Sequence, residues 1–186
     1  MCPALFLDRD GVLIVNRPKY VRSWEDVEFI PTAIAGGQFV SRSGHPIVVV
    51  TNQAVVGRGL LTLDEALAIN ERIMNFFRAN DVNIIASYVC PHRHEDDCDC
   101  RKPKPGMLLR AASEFGIDLQ RSVMVGDSLR DLLAAESAGV KGILVRTGMG
   151  SDQEADVLRV GGARWPVFND LMEAAPSILV DLEGAG

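Results

Sequence analysis

Residues 4–12 read ALFLDRDGV, an apolar run that ends abruptly in two carboxylates and a glycine. Short, continuous apolar runs are typical of strands that are buried on both faces of a parallel sheet. Further runs of this kind occur at 46–50, 84–89, 122–125, 142–145 and, more briefly, 165–168. The sequence therefore predicts a parallel sheet in which the run at 4–7 is the first strand.

Helical patterns separate these runs. Thr62 and Glu65 have the spacing of a capping box at the start of one helix. The apolar face predicted for this helix consists of Leu63, Leu67, Ile73, Phe76 and Phe77. Other helices are expected from Pro31, over 105–116 and over 128–138, whereas the chain after about 150 is less periodic. This alternation predicts an α/β, Rossmann-like, doubly wound parallel sheet, and the length of 186 residues fits a single domain over 1–186.

Composition excludes several classes of protein. The chain has 19 basic and 25 acidic residues and a net charge of −6, which argues against binding nucleic acid through bulk positive charge. No stretch reaches the ~20 apolar residues of a membrane span, and no secretory start is recognisable. We therefore expect a monomer in the cytoplasm with neither nucleic acid nor membrane as a partner.

Polar residues follow the predicted strands at the edge where such sheets bind ligands. Asp8 and Asp10 follow the first strand, Thr51 the second, Lys102 the loop after the third, and Asp127 the fourth. This set suits phosphoryl transfer: one carboxylate attacks phosphorus, a second protonates the leaving oxygen, and the hydroxyl and ammonium groups stabilise the transferring oxygens. Two of the carboxylates could hold Mg²⁺, which prefers oxygen ligands.

The cysteines point to a second metal. Residues 90–100 contain the two short pairs Cys90–His92 and Cys98–Cys100. Three thiolates and one imidazole complete a tetrahedral zinc site with no open position, which is typical of a structural ion. The alternative is a chance cluster of reduced thiols and exposed histidines.

Four segments together carry a family resemblance. Residues 6–12 (FLDRDGV), 50–53 (VTNQ), 101–107 (RKPKPGM) and 125–131 (VGDSLRD) resemble the four motifs of the haloacid dehalogenase superfamily. Within it they are similar to the D-glycero-D-manno-heptose 1,7-bisphosphate phosphatases, which are relatives of the histidinol-phosphate phosphatases. The similarity extends over 4–148.

The resemblance implies roles for individual residues. Asp8 would be the nucleophile that forms an aspartyl-phosphate, Asp10 the general acid and base, and Asp127 a magnesium ligand beside Asp8 and the Asp10 carbonyl. Thr51 and Lys102 would stabilise the phosphoryl group. Zinc would be bound by Cys90, His92, Cys98 and Cys100. A small phosphorylated sugar would contact Asn16, Arg17, Lys19, Tyr20, Thr51, Asn52, Gln53, Arg101 and Lys102.

Superfamily members often carry a cap domain after the first motif or the third strand. The gaps from Asp10 to Pro31 and from Cys90 to Arg101 are too short for a domain of ~50 residues. We therefore expect a capless enzyme whose specificity depends on surface loops. Arg58 lies on one of these loops. A role in substrate specificity and an ordinary solvated surface charge are equal alternatives for this residue.

Three alternatives remain open. One is a phosphatase for histidinol phosphate or another small phosphomonoester, although residues 20–31 resemble the heptose bisphosphate group. A second is a phosphoacceptor signalling domain, which would not need Asp10 two residues after Asp8. A third, a zinc-ribbon nucleic-acid binder, is disfavoured by the net charge. The expected activity is magnesium-dependent removal of the 7-phosphate of the heptose bisphosphate.

Overall fold

The computed structural model describes residues 1–184 and contains one six-stranded parallel sheet. The strands are β1 (Leu5–Leu7), β2 (Ile47–Asn52), β3 (Ile84–Cys90), β4 (Val123–Gly126), β5 (Lys141–Val145) and β6 (Val167–Phe168). Their spatial order is β3-β2-β1-β4-β5-β6, so β1 lies inside the sheet and the order reverses beside it. Ligands bind in such sheets at the point of reversal.

Helices cover both faces of this sheet. They are α1 (Pro31–Ser41), α2 (Ala54–Gly57), α3 (Leu63–Ala79), α4 (Gly106–Phe115), α5 (Leu129–Ser137), α6 (Gly150–Gly161) and α7 (Leu171–Glu183). Within residues 1–184, no helix combines the length and the apolar character that crossing a bilayer requires.

Two hydrophobic cores lie on opposite faces of β1. Leu5 and Leu7 belong to the core that includes residues of α1, α3 and α7. Phe6, between them in sequence, belongs to the core that includes residues of α4 and α5. Because successive side chains of a strand point to opposite faces, this division confirms the doubly wound arrangement.

The predicted face of α3 is partly wrong. Ile73 and Phe77 are fully buried, but Leu63 and Leu67 are each 43% exposed. Leu67 lies beside β3, which is the outermost strand at that end of the sheet in the part of the chain that the structure describes.

Helix α6 lies in the region where the sequence is less periodic. Its buried positions are only Gly150 and Val157, so it contributes little apolar surface to a core. A helix that is largely exposed has a weak apolar period, which is why the sequence does not predict it.

The chain carries no folded cap within the described residues. The segment 8–30, between β1 and α1, contains one short 3-10 turn at Trp24–Asp26, and the segment 91–105, between β3 and α4, contains another at His94–Asp96. The carboxyl ends of the strands are therefore left open.

Candidate active site

Four charged residues meet at the carboxyl ends of the strands. We call Asp8, Lys102, Asp127 and Asp131 the strand-end cluster. Lys102 Nζ lies 2.9 Å from Asp8 Oδ1 and 2.6 Å from Asp131 Oδ1, and it donates a hydrogen bond of 2.8 Å to the carbonyl of Val50. The lysine side chain is only 2% exposed. An ammonium group buried this deeply requires such partners, and here all three of its donors are used.

Backbone groups form the wall around Asp127. The N–H of Met149, after β5, donates a hydrogen bond of 2.8 Å to Asp127 Oδ2. Gly11 has φ +88° and Gly148 has φ +60°, and a Cβ on either residue would overlap the same oxygen. Glycine is required at both positions by the backbone conformation and by this close approach.

Burial shifts the pKa values of the cluster. It raises the pKa of Asp8 to about 7, with Lys102 acting in the opposite direction and the charges of Asp131 and Asp10 adding to the rise. Burial also raises the pKa of Asp127 to about 8, and repulsion from Asp8 and Asp131 contributes. Burial alone would lower the pKa of Lys102, but Asp131 and Asp8 raise it above its ordinary value. The cluster therefore has more negative charge than its one lysine can neutralise.

The cluster fits a magnesium ion. Carboxylate oxygens of Asp8, Asp127 and Asp131 lie within 4.8 Å of one another. Asp131 Oδ2 already accepts hydrogen bonds from the N–H and the hydroxyl of Ser128. Asp8 Oδ2 and Asp127 Oδ1 accept none from residues 1–184. These free oxygens are the hard ligands that Mg²⁺ prefers, whereas Asp131 Oδ1 is paired with Lys102.

Asp10 lies beside the cluster and is held by other donors. Gln53 Nε2 donates hydrogen bonds of 2.7 Å to Asp10 Oδ2 and 2.8 Å to Thr51 Oγ1. Thr51 Oγ1 lies 3.4 Å from Asp10 Oδ2. Arg9 contacts the same carboxylate from within the protein interior. Asp10 of the first motif and Thr51 and Gln53 of the second thus form one hydrogen-bonded group.

Asn52 connects two motifs through the backbone. Its Nδ2 donates to the carbonyl of Lys102 at 3.0 Å, and its Oδ1 accepts from the Lys102 N–H at 3.1 Å. Asn52 also lines the cleft described below. Its amide therefore positions the lysine segment at the end of β2.

The predicted zinc ligands converge. Cys90 Sγ lies 3.6 Å from both His92 Nδ1 and Cys98 Sγ, Cys100 Sγ lies 3.3 Å from His92 Nδ1, and the two sulfurs of Cys98 and Cys100 are 3.5 Å apart. A tetrahedron with zinc–sulfur bonds of about 2.3 Å has edges of about 3.8 Å. Disulfide-bonded sulfurs would be about 2.05 Å apart. The four residues fit zinc with His92 Nδ1 as the nitrogen ligand.

The loop that carries this cluster, residues 90–100, packs against the active site. We call it the zinc loop. Arg101 Nη1 donates a hydrogen bond of 3.0 Å to the carbonyl of His92, and the N–H of Gly57 donates one of 2.9 Å to the carbonyl of Pro91. A Cβ on Gly106 would overlap the carbonyl of Asp99. The loop thus contacts the segments that carry Arg101, α2 and the start of α4.

An open cleft of about 710 Å³ lies over the strand-end cluster. It is lined by Asp8, Asp10, Asn16, Arg17, Tyr20, Val21, Thr51, Asn52, Gln53, Ala54, Arg58, His94, Arg101, Lys102, Pro103, Asp127, Ser128, Arg130, Asp131 and Met149. Carboxylates, an ammonium, a hydroxyl and several guanidinium groups thus surround one space.

Comparison with known proteins identifies the family. A family model described as HAD-hydrolase-like matches residues 99–174. The chain is 40% identical to the D-glycero-β-D-manno-heptose-1,7-bisphosphate 7-phosphatase of Vibrio cholerae over 164 residues, which cover 84% of this chain and 88% of that protein. The enzyme of the same name from Escherichia coli K12 is 38% identical over 184 residues, with coverage of 95% and 93%.

A solved structure agrees. The crystal structure of a D,D-heptose 1,7-bisphosphate phosphatase from B. bronchiseptica, complexed with magnesium and phosphate, superposes with a TM-score of 0.87 at 33% identity and covers 95% of this chain and 98% of that chain. The chain belongs to this family of haloacid dehalogenase-like phosphatases. It is a phosphoric monoester hydrolase, and the phosphoacceptor and nucleic-acid alternatives are set aside.

Most residues predicted for this phosphatase line its cleft, but Lys19 does not. Lys19 is exposed on the loop after β1. Arg17 lines the cleft with its charge already engaged, because its Nη2 lies 2.9 Å from Glu28 Oε2.

Several cleft residues of the phosphatase were not singled out from the sequence. Met149 follows β5, a strand whose end carried no assigned role, and Arg130 lies in the first turn of α5 next to Asp131. Arg130 lies at the start of a predicted helix that begins at the carboxyl edge of the sheet, and this position is the sequence signal that indicates a cleft residue. His94, which falls outside the ligand pattern, is exposed at the cleft rim.

Proposed function

We propose that this phosphatase removes the 7-phosphate of D-glycero-β-D-manno-heptose 1,7-bisphosphate. The observation that carries the proposal is the position of Asp8 in the lining of the cleft, with one oxygen 2.9 Å from Lys102 Nζ and the other accepting no hydrogen bond from residues 1–184. The names of the relatives supply the sugar and its anomer.

In the first half-reaction Asp8 acts as the nucleophile. One of its carboxylate oxygens bonds to phosphorus as the bond from phosphorus to the sugar oxygen breaks. Asp10 gives its proton to that oxygen, so that the sugar leaves as a neutral alcohol and Asp8 becomes an aspartyl-phosphate. Lys102 and Thr51 donate to the phosphoryl oxygens on which charge is spread in the transition state.

In the second half-reaction water replaces the sugar. Asp10, now a carboxylate, accepts a proton from the water as the water oxygen bonds to phosphorus and the bond from phosphorus to Asp8 breaks. Inorganic phosphate leaves, and both carboxyl groups return to their starting states. One group serves as acid and then base because the two half-reactions are near mirror images.

We assign the metals to the two residue sets that fit them. Mg²⁺ would be held by Asp8, Asp127 and the main-chain carbonyl of Asp10, and when bound it offsets the repulsion between a carboxylate and a phosphate. Zn²⁺ would be held by the four ligands of the zinc loop and would stiffen the approach to Arg101 and Lys102.

The rest of the substrate would contact the remaining cleft residues. Arg58, Arg101 and Arg130 form no ion pair with a carboxylate of residues 1–184, so their charges are available to a second phosphate. Asn16, Arg17, Tyr20, Asn52 and Gln53 line the same space. We keep Lys19 as an outer residue that reaches the substrate less directly.

We also infer a monomeric single-domain enzyme that works in the cytoplasm. Zinc binding by three thiolates is compatible with a reducing compartment. Size-exclusion chromatography with light scattering tests the monomer against the mass of 20.2 kDa.

Parallel steady-state assays test the substrate. We expect kcat/KM for the β anomer of the heptose bisphosphate to exceed that for the α anomer and that for histidinol phosphate. Asp8→Asn protein purified identically controls for contaminating phosphatases. A higher kcat/KM for histidinol phosphate would overturn the proposed substrate but would leave the assignment as a phosphatase unchanged.

A further inference from the structure

Arg9 is a buried arginine with a single charged partner among residues 1–184. It is 2% exposed, although it lies between two residues that line the cleft. Its Nε donates to Asp10 Oδ2 at 3.1 Å, its Nη2 donates to Asp10 Oδ1 at 3.1 Å, and Nη2 also lies 2.9 Å from Oδ2. Arg9 does not line the cleft, so it contacts Asp10 from behind.

This pairing is geometrically specific. The planar guanidinium presents a fork of donors that matches both oxygens of a carboxylate, which an ammonium group cannot do. Burial makes the pair strongly interdependent, because removing either partner leaves an unpaired charge in the interior. The chemistry proposed above uses Asp10 and gives Arg9 no role.

The donors around Asp10 are distributed unequally between its oxygens. Oδ2 lies within hydrogen-bonding distance of Arg9, of Gln53 Nε2 at 2.7 Å and of Thr51 Oγ1 at 3.4 Å. Among the described residues, Oδ1 receives one hydrogen bond, from Arg9 Nη2. Oδ1 therefore keeps acceptor capacity, and the Asp10 side chain remains 22% exposed to the cleft.

We propose that Arg9 is a positioning residue that fixes the rotation of the Asp10 carboxyl group and so presents Oδ1 to the leaving-group oxygen. The proposal rests on the proposed function, since it requires that Asp10 transfers the proton. In that step the proton moves from Asp10 Oδ1 to the sugar oxygen while the bond between the sugar oxygen and phosphorus breaks. Misplacing a reacting group by ~1 Å can cost about 100-fold in rate.

Leaving groups that differ in their need for a proton test the proposal. An alkyl phosphate such as the heptose bisphosphate needs protonation of its leaving oxygen, whereas 2,4-dinitrophenyl phosphate departs as a stable anion. The readout is the ratio of kcat/KM for the alkyl substrate to kcat/KM for the aryl one. This ratio is independent of the folded fraction, because unfolded protein lowers both values equally.

In Arg9→Met we expect the ratio to fall by about 100-fold, within the range of general acid catalysis. In Arg9→Lys, which keeps the charge but not the fork, we expect a smaller fall in the same direction. Arg121→Met is the matched control: this arginine hydrogen-bonds to carbonyls at the end of α7 and lies outside the cleft, so the ratio should not change.

A double-mutant cycle shows whether Arg9 acts through Asp10. Asp10→Asn alone should lower the ratio, and adding Arg9→Met should lower it no further, since the positioned group is already absent. An unchanged ratio in both Arg9 variants, or a further fall in the double variant, would overturn the positioning role. A normal ratio in Asp10→Asn would instead overturn the acid role in the proposed function.

Discussion

The strand-end cluster and the zinc loop both gather ionisable groups, but they are built in opposite ways. The strand-end cluster draws Asp8 and Asp127 from the ends of β1 and β4, Lys102 from the segment before α4 and Asp131 from the first turn of α5, and it buries more carboxylates than cations. The zinc loop draws its four candidate ligands from residues 90–100, and their ligand atoms all lie within 4.8 Å of one another. A closed set stabilises structure, whereas oxygens left free can bind an ion and a substrate together.

The sharpest test of the strand-end cluster is Asp8→Asn. The amide keeps the shape of the carboxylate but is a poor nucleophile, so we expect phosphate release to fall by at least about 10⁴-fold. The metal-free variant should fold and be no less stable at pH 8, because a neutral amide avoids the cost of burying another charge. Phosphate release and thermal melting measure the two effects. Activity close to that of the unmodified protein would remove Asp8 from the nucleophile role.

Magnesium affinity should depend on pH at the strand-end cluster. Burial raises the pKa of Asp8 to about 7 and that of Asp127 to about 8, so protons compete with the ion. We expect magnesium affinity to fall by about 1,000-fold from pH 8.5 to pH 6, because both carboxylates must lose their protons to bind the ion. Titration calorimetry at several pH values measures this change. The measurement uses zinc-loaded protein. A magnesium affinity that stays constant over this pH range would contradict the assignment of Asp8 and Asp127 as magnesium ligands.

The same pKa shifts predict the stability of the metal-free protein. Because the folded-state pKa values of Asp8 and Asp127 lie above the unfolded value of 3.8, the folded chain binds protons that the unfolded chain has released. The free energy of unfolding should therefore decrease as pH rises from about 5 to about 8 and level off above that. Added Mg²⁺ should restore stability most at the high end.

The zinc loop is tested by Cys98→Ser, with Cys2→Ser as the matched control. Cys98 belongs to the four-ligand set, whereas Cys2 is an exposed free thiol far from it in sequence. Losing one ligand should release zinc, lower Tm and reduce kcat by about 10-fold through a looser Arg101 and Lys102 segment. Metal analysis, melting and kinetics report these effects. A zinc-free variant with full rate and full Tm would show that the loop does not support the active site.

The smallest effect is expected at the cleft rim. Arg58 lines the cleft without a carboxylate partner among residues 1–184, and Lys19 lies outside the cleft. Exposed ion pairs are worth up to about 1 kcal/mol, so Arg58→Ala should lower kcat/KM for the bisphosphate by about 2–5-fold, with little change for a monophosphate. Lys19→Ala should have a smaller effect than Arg58→Ala, since Lys19 reaches the substrate less directly. Equal effects of the two variants would mean that the substrate responds only to the overall positive charge of the cleft rim and not to a specific contact with Arg58.

The sequence predicts the strand-end cluster well for a physical reason. Parallel strands that are buried on both faces read as continuous apolar runs, so the residues where the runs end, such as Asp8 and Asp127, are visible directly. The zinc ligands are visible because short spacing in sequence forces short spacing in space.

Other features depend on tertiary packing that no local pattern encodes. The contact between Arg9 and Asp10 joins neighbours whose side chains would point apart in an extended strand, and it forms because β1 ends at Leu7, before both residues. Asn52 was assigned to the substrate, but its pairing with the backbone of Lys102 spans two strand ends. The exposure of Leu67 depends on β3 being the outermost strand.

The central position of β1 has a consequence for how the molecule opens. Its three residues are fully buried and paired with β2 on one side and β4 on the other, and the N–H of Asp8 continues the ladder to Val125. Amides in such a strand exchange with solvent only when the whole domain unfolds, whereas exposed loops open locally at far lower cost. The carboxylate proposed to carry the phosphoryl group therefore sits on the part of the chain that opens last.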